Sequence, residues 1–202
     1  MGLSVFIVRH GNTFAAGEPA RRIGAATDLA LVESGVAQAE ALGLAFARGG
    51  IGFDRALAAP LLRTRSTIGG ILAQQPAALL VEPADWLIEI DHGPDEARLE
   101  SEVIDRIGEP ALARWDHAAE APDGWIVDAE RRIAGWRDLF ATAEGHVLIV
   151  TSNGAARFAL LADPALQHQA ASLPSLKLRT GAYGVIERDT DGLRLAAWDV
   201  RP

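Results

Sequence analysis

The run LSVFIV, residues 3–8, is apolar at nearly every position and barely alternates. A strand with one wet face alternates in polarity, whereas a strand covered on both faces does not. The run HVLIVT, residues 146–151, repeats the signal far down the chain. Both read as interior strands of a sheet with helices over it. The chain between them supports this reading. Residues 34–48 place Ala39, Leu42 and Phe46 on one helical face and stop at Gly49-Gly50. Residues 54–58 form a second candidate strand, 61–75 a helix weakened by Gly69-Gly70, and 79–82 a third, short strand. Residues 83–124 are rich in Asp, Glu and Pro with broken periodicity, which assigns them to loops and short helices laid over the sheet. Helices are predicted over 127–143 and 154–161, and AYGVIE and LRLAAW flank Asp189-Thr190-Asp191-Gly192 as a hairpin. The class is α/β with a mixed sheet.

A length of 202 residues suits a single domain spanning 1–202. The formal charge of −8 disfavours nucleic acid and anionic membranes as partners, and no basic run offsets it. The absence of cysteine excludes disulfide and thiolate chemistry. The start, MGLSVFIVRHG, lacks the basic lead and apolar core of a signal peptide, and no segment reaches the length of a membrane span, so a cytoplasmic location is expected. No feature of the residues sets an oligomeric state.

In an open α/β sheet the ligand sits beyond the carboxyl ends of the strands. Three stretches qualify by position: RHGNT after the first strand, APLLRTR after the second, and TSNG after HVLIVT. Taken alone, His10 at a strand end is most simply a histidine that satisfies backbone groups. Arg9 beside it suits a phosphate or carboxylate, and Gly11 removes a side chain where a ligand approaches the backbone. Arg63 falls in the first turn of a helix, and the residues after Thr151 offer backbone N–H groups at another helix start. The sum is a cationic pocket in an acidic protein, which favours a small anionic molecule over a polymer.

These residues carry a resemblance. The chain resembles the histidine phosphatase superfamily, in its phosphoglycerate-mutase-like branch, whose first motif is Arg-His-Gly-x-Thr: here Arg9, His10, Gly11, Asn12 and Thr13. Arg22-Ile23-Gly24 is similar to the family's Arg-x-Gly turn, and DLALVESGVAQAEALG keeps Asp28, Leu31, Gly35, Gln38 and Ala39 of the segment that follows. APLLRTRST keeps Pro60, Leu61, Arg63 and Thr67, and LIEIDHGPDE keeps Leu87, Glu89, Gly93 and Glu96. The family's fourth element, Ser/Thr-His-Gly-Gly after a strand, reads Thr151-Ser152-Asn153-Gly154 here, so the second histidine is absent.

The resemblance implies a three-layer α/β/α sandwich with a mostly parallel mixed sheet, and a phosphomonoester hydrolase that needs neither metal nor cofactor. His10 would be the nucleophile that becomes phosphohistidine, and Arg9 and Arg63 would clamp the phosphoryl oxygens, with Asn12, Ser152 and Asn153 as further phosphate ligands. Glu89 would be the general acid by motif register, kept protonated by burial beside the phosphate, with Asp91 two residues on as a rival for the role. A hydroxyl at 152 brings no positive charge, and losing one such donor slows comparable enzymes about 10²- to 10³-fold; read simply, Ser152 is a helix cap. His92 is close enough in sequence to Glu89 to reach the pocket. Three alternatives stand beside hydrolysis. The chain could be a degenerate phosphate-ester binding or regulatory protein, or a mutase, or Ser152 could itself be a nucleophile on a strand-to-helix turn.

Overall fold

The computed structural model describes residues 2–202. Six strands, β1 (Leu3–Arg9), β2 (Arg55–Ala58), β3 (Val81–Pro83), β4 (Gly145–Thr151), β5 (Tyr183–Asp189) and β6 (Gly192–Val200), form one sheet in the order β3-β2-β4-β1-β5-β6. β3, β2, β4 and β1 run parallel; β5 lies antiparallel to β1, and β6 antiparallel to β5. The unalternating run of β1 is explained by its two covered faces. Leu3, Val5 and Ile7 enter one core, while Phe6 and Val8 enter the other.

Helices α1 (Glu33–Arg48) and α2 (Leu62–Leu72) cover the Phe6 face. Phe46 meets Phe6 edge-on at 5.5 Å between ring centroids and Phe53 at 5.4 Å. Fully burying a side chain of this size contributes about 1.5–3 kcal/mol. Helices α3 (Glu100–Ile107), α4 (Glu109–Ala118), α5 (Ala129–Thr142), α6 (Asn153–Ala156), α7 (Phe158–Leu161) and α8 (Pro164–Ala170) send Val103, Trp115, Trp136, Ala156, Phe158 and Leu166 into the other core. The result is three layers, as the resemblance implies.

Three details differ from the sequence reading. The helix expected over 154–161 starts one residue early and is interrupted at Arg157. α2 ends at Leu72, shortly after the glycine pair that weakens it. α8 was not anticipated, although Asp163-Pro164 is a start signal: the Asp163 carboxylate accepts the amides of Ala165 and Leu166 at 2.8 and 3.4 Å. Among the described residues, no helix is long and apolar enough to cross a membrane.

The parallel register brings four chain segments to one edge. The amide of His10 donates to Thr151 O at 3.0 Å, that of Ala59 to Val150 O at 3.1 Å, and that of Ala84 to Ala58 O at 3.0 Å. The loops that leave β1, β2, β3 and β4 therefore begin side by side.

Candidate active site

The loop after β1 is held down before it presents anything. Its Gly11 amide donates to Thr67 Oγ1 of α2 at 3.0 Å, and the Asn12 amide donates to Gln38 Oε1 of α1 at 2.8 Å. Backbone lies directly on backbone here. A Cβ on Gly11 would stand 2.4 Å from Gly35 O, and one on Gly35 would stand 2.2 Å from Asn12 O. That contact answers why a glycine follows the histidine. Asp28 in turn accepts the Leu62 amide at 2.7 Å and so starts α2. Gly35, Gln38, Thr67 and Asp28, which the sequence offered only as motif matches, are thus the supports of the loop.

His10 is 6% exposed. Its Nδ1 lies 2.8 Å from Gly11 O, and a carbonyl can only accept, so Nδ1 carries the proton and Nε2 keeps a lone pair. Burial, with Arg9 and Arg63 nearby, pushes the imidazole well below its usual range and keeps it neutral. A neutral imidazole with a free Nε2 is a nucleophile at neutral pH.

Arg9 donates from Nη1 to Leu178 O at 2.8 Å, and its Nε has no partner. Asn12 is fixed between Ser34 Oγ, 3.2 Å from its Nδ2, and Thr180 Oγ1, 2.5 Å from its Oδ1. Asn153 accepts the Leu178 amide at 2.9 Å. Arg9, His10, Asn12, Glu89 and Asn153 line one cavity of about 270 Å³, small enough to suit a small ester. A larger groove of about 440 Å³ beside β3 is lined mainly by Ala58, Ala59, Pro60, Ile68 and Val81 and offers no nucleophile.

Two of the anticipated phosphate ligands are not on the cavity wall. Arg63 is fully buried and spends its guanidinium on Thr27 O at 2.6 Å and Gly24 O at 3.1 Å. It holds the 24–27 loop and acts on the cavity by charge, which is felt at His10 and Glu89. Ser152 is likewise fully buried, makes no capping hydrogen bond, and leaves its Oγ without a partner. It is neither a cap nor a nucleophile with a base.

Glu89 requires a correction. Its Oε1 accepts the Ile90 amide at 2.9 Å and its Oε2 the Gly154 amide at 3.1 Å. Burial raises the carboxyl, but His92, these two amides and Arg63 outweigh it and leave the group below its usual value. Glu89 is a carboxylate, not the protonated acid expected from burial.

His92 does reach the cavity, as do Arg22, Trp115 and Thr180. Arg22 pairs with Glu100 at 2.5 Å and lies over the Trp125 ring. Behind Asn153, Arg157 is buried over the Trp115 ring at 4.1 Å and held by Trp115 O, and burial lowers it to about 10, still a cation at neutral pH. Sequence reasoning missed Trp115, Arg157 and the 178–181 segment, because their contacts join parts of the chain that no local pattern links. Among the described residues, ten buried side-chain polar atoms lack a partner, and seven belong to residues lining this cavity or packed directly behind it: Arg9, Arg22, Arg63, His92, Glu96, Ser152 and Arg157. Unpaired buried polar atoms cost about 1–3 kcal/mol each. Three of the seven still face an opposite charge, His92 Nδ1 and Glu96 Oε2 at 3.6 Å from each other and Arg157 Nη2 at 3.8 Å from Asp116 Oδ1, while the Nε atoms of Arg9, Arg22 and Arg63 remain unengaged donors beside or behind the cavity.

The architecture recurs in solved structures. A mycobacterial protein named hydrolase 1 aligns with a TM-score of 0.80 at 20% identity over 100% of both chains. A mycobacterial glucosyl-3-phosphoglycerate phosphatase aligns at 0.76 and 20% identity, covering 99% of this chain and 100% of its own. The alpha-ribazole phosphatase of Shigella flexneri aligns at 0.73 and 20%, covering 98% of this chain and 96% of its own. At this identity the likeness speaks for the fold. No curated protein sequence matches the chain. A sequence profile of the histidine phosphatase superfamily (branch 1) matches residues 5–201, and the chain belongs to that family.

Proposed function

We propose that the protein hydrolyses a small phosphate monoester through a phosphorylated His10. The observation that carries this reading is the neutral His10, with Nε2 unprotonated, beside a cavity where Arg9, Arg22 and Arg63 each leave a buried Nε without a hydrogen-bond partner. His10 Nε2 attacks phosphorus, the bond to the ester oxygen breaks, and the alcohol leaves with a proton. Water then attacks the phosphoryl group, the N–P bond breaks, and inorganic phosphate departs. Phosphoryl transfer asks the protein mainly for positioning and charge. Arg9 supplies both at the wall, Arg63 and Arg157 supply charge from behind it, and Asn12 and Asn153 supply polar contacts. Arginines can meet this demand, so the reading requires no metal ion.

The neighbours named for alpha-ribazole and glucosyl-3-phosphoglycerate support a small organic phosphate as the substrate class. The cavity volume of about 270 Å³ supports the same class. The test is a phosphatase screen in the presence of chelator, comparing the natural protein with His10→Ala and searching for acid-labile phosphate on His10 after mixing with substrate. Turnover in the natural protein, trapped phosphohistidine and loss of both in the variant are expected. Full activity in His10→Ala would overturn the reading.

Ser152, standing where the family's second histidine belongs, favours a second reading: a phosphate-ester binding protein that does not turn over. Phosphate binding that Arg9→Ala abolishes, together with no hydrolysis of any ester in the screen, would establish it instead.

A further inference from the structure

His92, like Glu89, is a buried titratable group on the cavity wall to which the reaction above gives no task. It precedes the short 3-10 turn Gly93–Asp95 and is 4% exposed. Its ring stands edge-on to Trp125, 4.6 Å between centroids. Trp125 is itself anchored, since its Nε1 donates to Asp95 Oδ2 at 2.7 Å and Asp95 is clamped by Arg106. The imidazole therefore has a rigid platform. Its Nδ1 is buried and points at Glu96 Oε2, 3.6 Å away and just beyond hydrogen-bond length. Glu96 is fixed from its other side, where Oε1 accepts the Gly24 amide at 2.9 Å and Thr27 Oγ1 at 2.5 Å. Burial raises this carboxyl, but His92, Thr27 and the Gly24 amide hold it down to about 2, so it is an anion throughout the neutral range. A carboxylate facing Nδ1 favours a proton on that nitrogen and leaves Nε2 as the atom to exchange one. The residue lines the cavity with His10. The other charged groups around the ring are Glu89 on the same wall and Arg22 beyond Trp125.

We propose that His92, positioned by Glu96, protonates the leaving alcohol and then deprotonates the attacking water. The proposal rests on the phosphatase reading. In the first step His10 Nε2 bonds to phosphorus, the P–O bond breaks, and the ester oxygen takes the proton from His92 Nε2, leaving that ring neutral. In the second, His92 Nε2 takes a proton from water as the oxygen bonds to phosphorus and the N–P electrons return to His10. The ring is again an imidazolium, and phosphate leaves with one proton. The carboxylate of Glu89, with both oxygens already accepting backbone amides, is poorly placed to donate in the first step. In a chain without the family's second histidine, an imidazole from the β3 side enters the same cavity.

The test is dependence on the leaving group. A poor leaving group such as phenoxide needs the proton, and a good one such as p-nitrophenoxide hardly does. His92→Gln should lower kcat/KM for phenyl phosphate by about 10²-fold or more, and for p-nitrophenyl phosphate by less than about tenfold. Glu96→Gln, which keeps the ring, should give a smaller loss in the same order and shift the pH profile of kcat. Inorganic phosphate binding, measured in parallel, reports whether each variant keeps its cavity. Equal losses for both esters in His92→Gln, or a steepened dependence in Glu89→Gln and not in His92→Gln, would overturn the proposal and leave the phosphatase reading standing. No turnover of either ester by the natural protein would remove both.

Discussion

His10→Asn separates a buried neutral imidazole from an ordinary one by its effect on stability against pH. Asn keeps an N–H for Gly11 O and removes the titrating ring. In the folded natural protein, burial first, then Arg9 and Arg63, keep His10 unprotonated well below its ordinary range. In the unfolded chain the same imidazole protonates near pH 6.5. Below that value the unfolded state binds a proton that the folded state refuses, so stability must fall as pH falls, and it is fully present above that value. The limiting slope for one proton is about 1.4 kcal/mol per pH unit, and integrating from about pH 7.5 to 5.5 gives a loss of about 1.4 kcal/mol assignable to His10. The assay is urea unfolding of both proteins at several pH values across that window. Other titrating groups affect both proteins alike, so the difference between them isolates position 10. The natural protein should lose about 1.4 kcal/mol more than the variant on going to pH 5.5. Parallel curves would refute the claim that the fold holds this ring neutral, and with it the nucleophile.

Two further substitutions probe the wall behind the nucleophile. Ser152→Ala removes a buried hydroxyl with no partner, so stability should hold or rise by up to about 1 kcal/mol and kcat should stay within about twofold; a tenfold fall in kcat would show that Oγ turns toward the phosphoryl group during reaction. Gly154→Ala places a Cβ 2.2 Å from Glu89 Oε1, so the carboxylate must move, at a cost of about 1–3 kcal/mol by chemical denaturation. Unchanged stability would show that the Glu89 carboxylate has room to swing away from residue 154.

What the sequence made legible is what lies within one element or one loop. LSVFIV and HVLIVT are strands because an interior strand must be apolar on both faces, and both lie in the parallel part of the sheet. RHG could be placed at a strand end, and Arg63 at the first turn of its helix, from local pattern alone. The direction in which Arg63 points was not legible, since its acceptors are carbonyls of a distant loop, Gly24 and Thr27. The charge state of Glu89 failed for the same reason. Burial alone argued for a proton, but the Gly154 amide that argues against it belongs to a residue 65 positions away. The 178–181 segment has no periodicity to announce it, yet Leu178 and Thr180 hold Arg9, Asn153 and Asn12 in place.

β4 occupies the slot between β1 and β2 although it is the last of the three to be synthesised. A nascent chain released before residue 145 would carry two naked strand edges and no spacer to set the distance between His10 and the loop that follows β2. The loops after β1 and β2 have no fixed separation without that spacer. Its insertion, which closes contacts across most of the polypeptide, should therefore be the slow event on the way to an active protein.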